Sequence, residues 1–88
     1  MTTKTEIFWD DKDPNNAGWA FRLLQTDSNG GLIHEDSGAI DGSAADALDC
    51  INDGYAPDEH DLGILRRDFY DATFSDKNGS EIGDLFPS

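Results

Sequence analysis

The sequence predicts a small α+β domain, an antiparallel sheet in the order β-β-β-α-β-β with one helix packed on a face. Three observations lead to this. The chain has 88 residues, which fits a single domain spanning 1–88. Two Asn-Gly pairs, Asn29-Gly30 and Asn78-Gly79, sit between runs rich in β-favouring residues and mark hairpins. One stretch, Ser43 to Gly54, carries apolar residues at helical spacing.

In chain order, Thr5 to Asp10 reads as a first strand, because Ile, Phe and Trp suit a pleated, half-buried surface. Asp11 to Asn16 is a turn by composition. Gly18 to Thr26 reads as a second strand, with Trp19, Phe21 and Leu23 on one face and Ala20, Arg22 and Leu24 on the other. Asp27 to Gly31 is a hairpin turn, and Leu32 to Glu35 starts a third strand whose end is blurred by Ser37-Gly38 and Asp41-Gly42. Ser43 is the expected helix cap, with Asp46 in a near capping-box position. Ala44, Ala47, Leu48 and Ile51 form the apolar stripe, and Gly54 supplies the stop. Ala56 to Glu59 offers a start for a second short helix, but Gly63 argues against it. Phe69 to Phe74 and Glu81 to Phe86 read as a closing strand pair around the turn Lys77 to Ser80.

Charge is the most informative property of the chain. Nineteen Asp and Glu face six Lys and Arg, for a net charge of −13. Such a surface repels itself and opposes direct binding to nucleic acid. Five Phe, two Trp and two Tyr argue for a folded chain rather than an acidic disordered one. Fifteen of the acids are Asp, whose short side chain holds the carboxylate close to the backbone. No apolar run is long enough to span a membrane, no signal-peptide pattern opens the chain, and Cys50 has no partner for a disulfide. A cytoplasmic protein with no membrane association is expected.

The motifs of catalysis and metal binding fail on inspection. Asp11, Asp13 and Asn15 match the first EF-hand ligand positions, but Asn16 stands where Gly is needed and Arg22 where Glu is needed. Cys50 lies among Asp46, Asp49 and Asp53, which disfavour a thiolate. No phosphate-binding loop occurs, and a thin core leaves little room for a pocket that shifts a carboxyl pKa. The expectation is a binding protein that is not an enzyme and needs no metal or cofactor. Trp9 and Trp19 are expected chiefly as core residues, with an exposed interface anchor as the other reading.

The candidate binding residues are Asp46, Asp49 and Asp53, at i, i+3 and i+7 on the helix, together with the turn acids Asp10, Asp11 and Asp13. No Lys or Arg occurs between Leu23 and Leu65 to neutralise the helix acids. Asp49 and Asp53 also approach the negative end of the helix dipole. Carboxylates at strand spacing, about 6.6–6.8 Å, approximate the separation of phosphates along a nucleic-acid strand. In size, net charge, Asp bias and compact α+β reading, the chain resembles the small acidic inhibitors of phages and mobile elements that mimic DNA, of anti-CRISPR or anti-restriction type. That resemblance implies a partner with a basic nucleic-acid-binding surface, such as a CRISPR effector complex. An acidic interaction module with another basic partner, and a salt-adapted domain or small enzyme, are the competing readings.

Overall fold

The computed structural model describes residues 2–13 and 15–86. Pro14, in the predicted first turn, lies outside them. The elements are β1 (Thr2–Asp10), β2 (Gly18–Thr26), β3 (Leu32–Ala39), α1 (Gly42–Asn52), α2 (Glu59–Phe69), β4 (Ala72–Ser75) and β5 (Glu81–Asp84). They build an α+β domain whose five-stranded sheet has the order β3-β2-β1-β4-β5.

Two features differ from the sequence expectation. The sheet is mixed: β1 pairs antiparallel with β2 but parallel with β4, with Thr5 opposite Ala72 and Ile7 opposite Phe74. Alternation of apolar and polar residues identifies a strand but carries no information on the direction of its neighbour. There are also two helices rather than one. In α2, Asp58 caps the first turn by accepting from the His60 N–H at 3.4 Å. Glu59 and Asp61 lie in the first turn and Arg66 and Arg67 in the last, matching the helix dipole. Gly63 costs α2 about 1 kcal/mol in helix propensity, which the Asp58 cap, the matched end charges and the burial of Leu65 offset.

Smaller shifts occur at the element ends. α1 is preceded by Asp41 rather than Ser43, and Asp41 makes no side-chain cap bond. Its C-terminus is a Schellman turn: Tyr55 N–H donates to Cys50 O at 2.8 Å and Gly54 N–H to Ile51 O at 3.1 Å, with Gly54 at φ +84°. β3 continues through Ser37-Gly38 to Ala39, while Phe69 ends α2 instead of starting β4.

Both helices cover one face of the sheet. Ile7, Trp19, Ala72 and Phe74 point from the strands into that layer and meet Leu48 of α1 and Leu65 of α2, which are fully buried. Trp19 is buried and Trp9 half-buried, with their rings edge-to-face at 5.0 Å. Phe21 packs against Phe69 at the end of α2. Among the described residues no helix lies on the opposite face, which presents Phe8, Arg22, Leu24, Glu35 and Ser37.

The two hairpin turns share one construction. In Asp27-Ser28-Asn29-Gly30-Gly31, the Asp27 carboxylate accepts from Asn29 and Gly31 N–H, both at 2.9 Å. In Asp76-Lys77-Asn78-Gly79-Ser80, the Asp76 carboxylate accepts from Asn78 and Ser80 N–H, again at 2.9 Å. Gly30 and Gly79 take the left-handed conformation at φ +82° and +84°, which a side chain disfavours. Each ladder then skips one residue beyond the turn, Ile33 in β3 and Ile82 in β5, and both isoleucines are exposed.

Candidate functional site

Strand directions decide where the acids gather. β1, β3 and β4 end, and β2 and β5 begin, at the same end of the sheet. The β1–β2 turn with Asp10, Asp11 and Asp13 therefore lies at the same end as the β4–β5 turn. α1 starts there from β3 and runs towards the β4–β5 turn, where Asn52 Oδ1 accepts from Lys77 N–H at 3.0 Å. The turn acids and the helix acids, far apart in sequence, thus share one end of the molecule.

Their local roles differ. Asp46 and Asp53 are exposed on α1 and at its C-terminal boundary. Asp53 accepts from the Asn52 side-chain amide at 3.2 Å. Asp11 is exposed, and Asp10 is half-buried and accepts from Lys12 N–H at 3.2 Å. Asp13 organises an Asx turn, accepting from Asn15 N–H at 3.1 Å and from the Asn16 amide at 3.0 Å. The Asn16 amide, and after it the Asn15 backbone N–H, hold the Asp13 carboxyl below the usual aspartate range. The failed EF-hand segment is therefore a self-bonded turn. Among the described residues, no group of three or more His, Cys, Asp or Glu converges as a metal site.

Asp49 departs from the sequence expectation. It does not belong to a free acidic face: its carboxylate accepts from the Trp19 indole N–H at 2.8 Å and pairs with Lys77 Nζ at 3.2 Å. Lys77 also stands over the Trp9 ring at 4.5 Å and the Trp19 ring at 5.9 Å. A buried indole N–H needs an acceptor, and Asp49 supplies it. Asp49 thus fastens α1 to the sheet and to the β4–β5 turn. Its cation comes from beyond Leu65, so a scan of the intervening sequence for Lys or Arg missed it. The sequence shows a lysine in an otherwise small, polar turn, but nothing in it places that lysine beside Trp9, Trp19 and Asp49.

The uncovered sheet face was not anticipated as a site. It holds two shallow concavities, about 670 and 440 Å³, that share Phe8 and Arg22 as lining residues. The Arg22 guanidinium lies 5.3 Å from the Phe8 ring centre. The larger concavity is bordered by Asp10, Asp11 and Glu35 as well as by Lys12. This surface combines the Phe8 ring with charges of both signs.

Among the described residues no helix is long and apolar enough to cross a membrane. Comparison of the chain with protein-family models, with characterised proteins and with solved structures found no match to any of them.

Proposed function

We propose that the chain is a DNA mimic that occupies the basic nucleic-acid-binding surface of a host defence complex, of anti-CRISPR type, and acts in the host cytoplasm by binding rather than by catalysis. The observation that carries this reading is the collection of Asp10, Asp11, Asp13, Asp46 and Asp53 at one end of a folded domain whose net charge is −13. Only Glu6, Asp68 and Asp49 form ion pairs among the described residues, so most of the acidity is left for a partner. A basic groove that tracks a phosphate backbone meets closely spaced anions and steers them in by long-range attraction. Because Asp49 holds α1 in place, the contact acids in this reading are the other five.

The test is competition between the protein and DNA for a purified basic effector. The combined replacement of Asp46 and Asp53 by Asn should leave the melting temperature within a few degrees, since surface changes are usually worth within about 0.5 kcal/mol. It should weaken binding and flatten its salt dependence. If protein and DNA occupy the effector together without mutual loss of affinity, DNA mimicry falls and an acidic interaction module takes its place.

A further inference from the structure

The two edges of the sheet are unequal. β5 offers four residues and contains Gly83, whereas β3 offers eight, all exposed except the half-buried Gly38. The pairing of β3 with β2 fixes which backbone groups remain free. Ile40 N–H donates to Trp19 O at 2.9 Å, and the same register continues through Gly38–Phe21 and Asp36–Leu23. These pairs face β2, so Glu35, Ser37 and Ala39 turn their N–H and C=O groups outward. Ser37 N–H confirms this, because it donates to the Asp36 side chain at 3.0 Å and not to β2.

An exposed row of unpaired backbone groups is a template for another strand. Natural edges are often guarded by Lys or Pro, and β3 has neither. Its charges are instead Glu35 and Asp36, on opposite faces of the strand, with no Lys or Arg in the element. A second copy of the chain would bring another net charge of −13 to this edge. A cationic strand would be attracted, and its carbonyl would replace the Asp36 carboxylate at Ser37 N–H, releasing that carboxylate to meet a cation. Leu32 and Ile33, exposed at the start of β3, offer apolar contact to the same strand.

We infer that β3 is a docking edge that adds an extended, basic peptide segment of a partner protein as a sixth strand. The C-terminal half of this edge adjoins the acidic end, since Glu35 and Ser37 border the same concavity as Asp10 and Asp11, but its contact is made by backbone groups and its test does not involve DNA. The probe is a short peptide of alternating lysine and valine, added to the full chain and followed by amide exchange and chemical shifts. Binding should slow exchange at Glu35, Ser37 and Ala39 and leave the β5 amides unchanged. The same peptide N-methylated at alternate nitrogens keeps its charge but cannot complete a ladder, and should bind roughly tenfold or more weakly. The Ser37→Pro chain loses an outward donor but no bond to β2, and should lose a similar factor while its sheet amides stay protected. Equal binding of the N-methylated peptide would overturn the inference as simple charge attraction. Protection elsewhere than β3, or a free chain already dimeric through β3, would overturn it as well.

Discussion

The β2–β3 and β4–β5 turns have the same Asp-x-Asn-Gly pattern, the same carboxylate-to-backbone bonds and the same skipped isoleucine, yet their surroundings differ. The first projects into solvent. The second is fastened to α1 and the tryptophan pair through Lys77, which stands where the first turn has Ser28. Local sequence sets the shape of a turn, and one side chain reaching outward decides whether the rest of the fold holds it.

The strongest way to break the likeness is at the glycines. Gly30→Ala and Gly79→Ala each force a side chain into left-handed backbone and should each lower stability by about 1–2 kcal/mol. Urea unfolding checks this, and strongly unequal losses would show that the turns are alike in form only. Lys77→Ser gives the second turn the residue of the first. It removes the cation over Trp9 and the exposed pair with Asp49, and about 1 kcal/mol should be lost. The reverse exchange, Ser28→Lys, should stay within about 0.5 kcal/mol, because no tryptophan or helix acid pairs with that turn among the described contacts. The smallest effect belongs to the skipped isoleucines. Ile33→Thr and Ile82→Thr should each change the unfolding free energy by less than about 0.5 kcal/mol, since both residues are largely exposed.

The same contrast explains how much could be read from the sequence. Turns, helix stops and strand alternation depend on neighbours in the chain, so the Asn-Gly turns, the Gly54 stop and the split of β2 into two faces were all legible. The second helix was obscured because Gly63 lowers helix propensity, although Asp58 and the Arg66-Arg67 pair mark both helix ends. The parallel pairing of β1 with β4 was not legible, since it joins residues with no local relation. At the candidate site the acids were legible as residue types and their gathering at one end was not, because it follows from strand direction. Asp49 shows the cost of judging a charge by its sequence neighbours: its cation and its indole donor both come from other elements.

The parallel pair of β1 and β4 also governs how the chain reaches this structure. β1 can form a hairpin with β2 as soon as both exist, but its other edge waits for β4, paired to it across a loop that includes every other strand and both helices except β5. Closing such a loop loses chain entropy before the contact returns anything, which makes it a late step in folding. On a ribosome, the hairpin would precede β4 by several seconds at roughly 5–20 residues per second. During that interval Ile7 and Trp9 lie beside an unpaired edge, and the core that Phe74 completes does not yet exist. Completion of the sheet is thus deferred until β4 arrives, and a chain halted before that point keeps the second edge of β1 free to template another strand.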